Sequence, residues 1–201
     1  MEPFSTLDAV AVPLATPNID TDQVIPARFL SRPREEGLGI CLFHDLRFRP
    51  DGTEEPGFVM NRPPYRPARI LVAERNFGCG SSRENAVHAL FDAGFRVVIA
   101  SSFGDIFRNN CQKNGIVPVV LPAADVATIL EGLAARPGAR MSVDLERQLV
   151  VGPGNSSWSF AIDPFVKECL LSGLDDIDLS LRHVDAIAAF EVAQPQQGTM
   201  P

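Results

Sequence analysis

No apolar run of about 18 residues occurs in this 201-residue chain, so no stretch of it reads as a membrane-spanning helix. Its first residues lack the basic start and apolar stretch of a secretory signal, which makes a cytoplasmic location the expectation. Clustered positive charge is missing as well. The net charge is -7, and Arg28, Arg32 and Arg34 are followed at once by Glu35 and Glu36. A surface that neutralises nucleic-acid phosphates needs grouped Lys and Arg, so nucleic acid is excluded as a partner. Cysteine is sparse: Cys41, Cys79, Cys111 and Cys169 form no Cys-x-x-Cys pair, which argues against zinc and against an iron-sulfur cluster held by this chain. They read as reduced thiols, with Cys111 and Cys169 in apolar helical patterns that belong to the core. His44, His88 and His183 are too few and too dispersed for a metal site. Nucleotide loops are absent too, because no Lys-Ser or Lys-Thr follows a glycine loop and Arg83 stands where a dinucleotide fingerprint needs its third glycine.

What is present begins with composition. At 45% hydrophobic residues the chain can bury one substantial core, and a single domain over residues 1–201 is expected. The most informative stretch is Asn76-Phe77-Gly78-Cys79-Gly80-Ser81-Ser82-Arg83-Glu84. Ile70 to Ala73 before it reads as a buried strand, and Ala86, Val87, Leu90 and Phe91 after it recur with helical spacing. The glycines and serines therefore sit in a strand-to-helix turn. Gly78 and Gly80 can adopt backbone angles closed to other residues and so turn main-chain N–H groups toward an anion. Ser81 with Glu84 three residues on also fits a capping box, which is a purely structural role. Ser82 and Arg83 are not needed for capping. With the positive end of the helix they suit a carboxylate, and Arg83 can bind one through two parallel hydrogen bonds. Cys79 lies between the two glycines, but a nucleophilic role would require a His partner that the sequence does not identify.

In chain order, Val10, Val12 and Leu14 suggest a strand ending near Pro13. Asn18-Ile19-Asp20-Thr21-Asp22 follows, a polar group whose residue types are those of a turn. A functional reading pairs Asp22 with Arg83, the carboxylate orienting the guanidinium toward a substrate. Residues 31–67 are rich in Pro, Arg, Gly and Glu with apolar islands, which reads as a long loop docked on its own domain or on a partner. From Ile70 to Leu121 the order is β-α-β-α-β, the signature of parallel strands with crossover helices. A helix through Val126 and Leu133, a hairpin of Met141–Leu145 with Leu149–Val151, and a third antiparallel strand at Trp158–Ile162 come next. Helices over Asp163–Leu171 and about Asp178–Val192 precede a loose tail at 194–201. The fold class is α/β, with a parallel core and additional antiparallel strands.

Two motifs, Asn18-Ile19-Asp20-Thr21-Asp22-Gln23-Val24-Ile25-Pro26-Ala27-Arg28-Phe29-Leu30 and Asn76 through Ala86, make the chain resemble the small subunit of 3-isopropylmalate dehydratase, in the aconitase superfamily. The resemblance spans essentially the whole chain. It implies a swivelling β/β/α three-layer domain that works with a separate large subunit, which holds a 4Fe-4S cluster. The implied reaction is hydro-lyase chemistry of leucine biosynthesis on a small dicarboxylate hydroxy acid: 2-isopropylmalate loses water to 2-isopropylmaleate, and water returns to give 3-isopropylmalate. By the same resemblance Ser81 is the catalytic base. Ser82, Arg83, Gly80, Asp22 and Thr21 bind substrate, and Phe29, Leu30, Ser31 and Arg32 form a specificity loop.

Two positions bear on that reading. Asn85 stands where the family commonly has His, and Ser31 where homoaconitase-like relatives tend to carry Arg, which favours an uncharged substituent such as isopropyl. The small subunit of a citraconate or maleate hydratase, a non-catalytic interaction subunit and a free-standing carboxylate-binding domain are the alternatives.

Overall fold

The structure, a computed structural model, describes residues 1–174, 176–181 and 184–193. Strand β1 (Thr6–Leu14) leads through the short helix α1 (Thr21–Val24) into a long connection whose only α-helical turn is α2 (His44–Arg47). Then alternate β2 (Ile70–Ala73), α3 (Glu84–Asp92), β3 (Val97–Ala100), α4 (Asp105–Lys113), β4 (Val117–Val120) and α5 (Ala123–Ala135). Strands β5 (Arg140–Asp144), β6 (Leu149–Val151) and β7 (Ser157–Ser159) and helices α6 (Pro164–Ser172), α7 (Asp176–Leu181) and α8 (Val184–Ala193) complete the described chain. His183 and the tail expected at 194–201 lie outside the described residues.

One mixed sheet of order β4-β3-β2-β1-β5-β6-β7 organises these elements. β1 joins its two halves: Ala11–Leu14 run parallel to Ile70–Ala73, while Thr6–Val10 pair antiparallel with β5. As expected from Val10, Val12 and Leu14, β1 ends near Pro13, running through it to Leu14. The Ala11 N–H donates to the Ala139 carbonyl at 3.1 Å, so the nitrogen of Pro13, two residues on, faces the same side. β5 has ended there, and the missing N–H costs no ladder bond.

Why the parallel strands read as unbroken apolar runs is now visible. Ile70 and Val72 face a core with Val97, Ile99 and the α5 residues Val126, Ile129 and Leu133. Leu71 and Ala73 face the opposite core with Val98, Ala86, Leu90 and Cys111. With helices on both faces, every residue of these strands must be apolar. Arg96, which interrupts the run before β3, is satisfied where it is buried. Its Nε donates to the Gly115 carbonyl at 3.1 Å and its Nη2 to the Glu2 carbonyl at 3.1 Å, and its guanidinium pairs with the Glu2 carboxylate.

The connection 31–67 docks on its own domain. Leu38, Cys41, Leu42, Phe43 and Tyr65 enter the α3-side core, and the Phe43 N–H donates to the Val24 carbonyl at 2.8 Å. At the far end of the chain, Asp163 caps α6 by accepting from the N–H groups of Phe165 and Val166, with Pro164 in the first helical position. Over the stretch where a final helix is expected, about 178–192, the described residues are helical at α7 and α8.

Candidate active site

The loops that follow β1, β2 and β3 meet at the carboxyl ends of the parallel strands. Isolated parallel bridges, Asp20 with Cys79 and Phe77 with Phe103, carry the strand pairing a few residues past the sheet edge. Hydrogen bonds then stitch the three loops together. The Gly78 N–H donates to the Ile19 carbonyl at 2.7 Å, the Thr21 N–H to the Cys79 carbonyl at 2.9 Å, and the Gly104 N–H to the Phe77 carbonyl at 2.9 Å. Asn18 and Asn76, both in left-handed backbone, are linked by their side-chain amides at 3.0 Å.

The first loop turns on a capping box, though not the one expected. Asp20 accepts from the Gln23 N–H at 2.7 Å, and the Gln23 side chain accepts from the Asp20 N–H at 3.0 Å, starting α1. The box expected for Ser81 and Glu84 does not form. α3 begins at Glu84 behind an extended Arg83 that makes no side-chain cap, so Ser81 lies outside the helix. The physical reason is the approach of the chain: Gly80, at φ +90°, packs against Asp20 and Thr21 of the β1 loop, and Thr21 holds the Ser81 carbonyl there. As a result the hydroxyls of Ser81 and Ser82 are exposed and have no hydrogen-bond partner among the described residues. Gly78 is required for a different reason, since a Cβ there would stand 2.2 Å from the Phe107 ring.

Thr21 and Asp22, adjacent on α1, divide the work of holding the serine turn. Thr21 is buried, and its hydroxyl donates to the Ser81 carbonyl at 2.8 Å. Asp22 meets Arg83 as the sequence reading paired them. Both carboxylate oxygens accept from the guanidinium, Oδ2 from Nη2 at 2.7 Å, and Nη1 also donates to the Ile25 carbonyl at 3.2 Å. The Arg83 side chain is only 12% exposed. These contacts leave its Nε–H and second Nη2–H uncommitted among the described residues. They are parallel donors in the geometry that fits a carboxylate. A cavity of about 210 Å³ opens here, with Thr21, Gly80, Ser81 and Arg83 on one wall and the start of α4, Asp105 to Phe107, on the other. Sequence reasoning missed this second wall. The exposed Ile106, set one position off the buried α4 residue Phe107, is the signal that could have found it.

The proposed specificity residues divide. Phe29 packs its ring against His44 at 4.9 Å, and Arg32 pairs with Glu36 at 3.5 Å. Both line a separate cavity with Cys41 and Phe48, so the structure does not bring them to the serines. Leu30 and Ser31 are exposed, and the Leu30 carbonyl accepts from the Asn85 side-chain amide at 3.3 Å, which ties the loop to the first turn of α3.

The described thiols and imidazoles make contacts of their own. The Cys79 thiol faces the Asn18 carbonyl at 3.6 Å, while His88 is engaged with Asn114 and His44 with Asp45. Burial pushes the Cys111 thiol well above its ordinary pKa, and burial, helped by the charge of Arg34, lowers that of His88. Among the described residues no group of three or more His, Cys, Asp or Glu is placed to hold a metal ion. Nor is any described helix long and apolar enough to cross a membrane.

Comparison with known proteins agrees with this picture. Residues 1–124 match the model of the aconitase C-terminal domain and 127–164 that of LeuD_N. Residues 176–197 match the model of the C-terminal domain of the 3-isopropylmalate dehydratase small subunit. The chain is 54% identical to the 3-isopropylmalate dehydratase small subunit of Paramagnetospirillum magneticum and 51% identical to that of Dinoroseobacter shibae, over 95% of each chain in both cases. With that of Jannaschia sp. it shares 50% over 98% of each. The solved structure of 3-isopropylmalate dehydratase from Methanocaldococcus jannaschii has the same fold, with a TM-score of 0.65 at 23% identity over 92% of this chain and 99% of that one. Full-length identity of this order with several relatives shows that the chain belongs to the family of 3-isopropylmalate dehydratase small subunits.

Proposed function

We propose that this chain is the small subunit of a hydro-lyase that isomerises 2-isopropylmalate to 3-isopropylmalate through 2-isopropylmaleate, the family's step in leucine biosynthesis. In this reading it acts with a large subunit, and residues 1–201 work as one swivel-type unit presenting the serine turn to that partner. The observation that carries the reading is the division of hydrogen bonds at the turn. Asp22 and the Ile25 carbonyl hold Arg83, yet its parallel Nε–H and Nη2–H remain for a substrate carboxylate. The hydroxyls of Ser81 and Ser82 remain too.

The chemistry follows from those groups. Dehydration moves a carbon-bound proton to a base and removes hydroxide from the neighbouring carbon, leaving a C=C bond. A serine accepts such a proton only as its alkoxide, so charge and N–H groups beside it must stabilise that anion. Arg83 and the left-handed turn at Gly80, which line the same cavity as Ser81, supply them. Thr21 fixes the backbone of Ser81 so that its hydroxyl is held at the cavity, and Ser82 adds a donor for the carboxylate. The cysteines of this chain do not fit a 4Fe-4S cluster, because Cys41, Cys111 and Cys169 are buried at separate points and do not gather around Cys79. The cluster therefore belongs, in this reading, to the large subunit.

The test is anaerobic turnover by the two subunits together, with each alone as control, on 2-isopropylmalate, citraconate and maleate. Activity that needs both chains and is highest with isopropylmalate supports the reading. Preference for a smaller diacid replaces it with a citraconate or maleate hydratase, and inactivity on all three replaces it with a non-catalytic interaction subunit.

A further inference from the structure

Of the two walls of the serine cavity, one is polar and already accounted for by Thr21, Ser81 and Arg83. The opposite wall starts with the exposed Asp105 and then holds two large apolar side chains with different constraints. Phe107 is locked: its ring stands edge-on to Phe77 at 5.4 Å, stacks with Phe103 at 6.5 Å and lies hard under Gly78. Ile106 is 53% exposed and enters neither core, because Phe107 and Cys111 define the buried face of α4 and Ile106 is rotated about 100° away from Phe107. Its backbone is nonetheless fastened. The Gly104 N–H donates to the Phe77 carbonyl, and a Cβ on Gly104 would stand 2.5 Å from the Gly78 carbonyl oxygen, so the start of α4 lies directly against the serine turn.

A rigidly placed, unpacked aliphatic side chain facing a carboxylate-binding wall matches a substrate with charged groups on one side and one aliphatic branch on the other. We propose that Ile106 is a specificity-determining residue, forming the surface on which the branched aliphatic substituent of the substrate packs. This rests on the reading above and deepens it. It also moves part of the selection for substituent size away from the Phe29–Arg32 loop, of which Phe29 and Arg32 line a different cavity.

The test uses the complex with the large subunit, comparing wild type, Ile106→Ala and Ile106→Val. The hydration of 2-isopropylmaleate gives kcat and KM, and citraconate, which carries a methyl group in place of isopropyl, is measured as a competitor. Loss of the apolar contact should raise KM for isopropylmaleate roughly tenfold in Ile106→Ala, with kcat nearly constant. Competition by citraconate should stay within about twofold, and Ile106→Val should recover most of the loss. Equal weakening for both ligands, no change for either, or weakened assembly with the large subunit at an unaltered ligand ratio overturns the proposal. A wild-type complex that does not hydrate isopropylmaleate overturns the functional reading, and this inference with it. A wild-type complex that does, paired with an unselective Ile106→Ala, overturns this inference alone.

Discussion

Two irregular stretches of this chain, the serine turn of residues 76–83 and the connection 31–67, are both rich in polar residues, yet they use them in opposite ways. In the connection many polar groups are spent on one another. Arg49 Nε donates to Glu55 at 2.9 Å and Arg66 Nη1 to Glu54 at 3.2 Å, and Asp45 is paired by Arg28 just before the connection. Asn61 is buried because its amide donates to the carbonyls of Arg47 at 2.6 Å and Glu55 at 2.9 Å. In the serine turn the scaffold consumes main-chain groups and leaves Ser81, Ser82 and two N–H groups of Arg83 unspent. Satisfied polar groups build structure; unsatisfied ones at an open cavity are available to a ligand. The comparison separates a loop whose polar groups support the fold from one whose polar groups are left free.

The largest effect that could break this comparison is at Ser81. Ser81→Ala should lower kcat of the two-subunit complex by about 10³-fold with unfolding unchanged, measured by turnover alongside urea denaturation. Undiminished turnover would place the base elsewhere. Phe43→Ala should do the reverse, removing about 3–5 kcal/mol of stability from a fully buried ring while kcat of the folded complex stays within a few-fold. Arg83→Lys should raise KM about a hundredfold, because an ammonium cannot hold Asp22 and a substrate carboxylate through two parallel pairs at once. Asp22→Asn should cost less, about tenfold in kcat/KM, since it loosens the guanidinium without removing it.

The pH response sharpens the same contrast. Burial lowers the His88 imidazole pKa from its ordinary 6.5, so the unfolded chain takes up a proton at a higher pH than the folded one. Stability is therefore complete above 6.5 and falls as the pH drops below it toward the folded value. His88→Gln, which can keep a hydrogen bond to Asn114, should flatten that fall in denaturation midpoints compared between about pH 7.5 and pH 5.

Much of this was legible in the residues. The strand pattern from Ile70 to Leu121, the hairpin of β5 and β6, and the start of α6 at Asp163 all follow from local periodicity and capping chemistry. So does the choice of Asp22 as partner for Arg83, which needs only a carboxylate for an arginine. Other features were not. Ser81 and Glu84 satisfy the capping pattern in sequence, as Asp20 and Gln23 do, and only the direction in which the chain enters each helix decides which box forms. Nor does local pattern tell that Pro13 sits where its strand neighbour has ended, or that Arg32 turns back to Glu36. The second wall of the site, at Ile106, belongs to a helix more than twenty residues beyond the serines.

The sequence by itself determined the alternation of strands and helices, the family and the chemical kind of the site, because these depend on residue types at short spacing. Tertiary structure decided which polar groups were consumed and which were left free, and which apolar side chain faces them. Those outcomes depend on three loops, separated along the chain, meeting at the ends of parallel strands, where each hydrogen bond made within the scaffold removes a donor or acceptor from the ligand's reach.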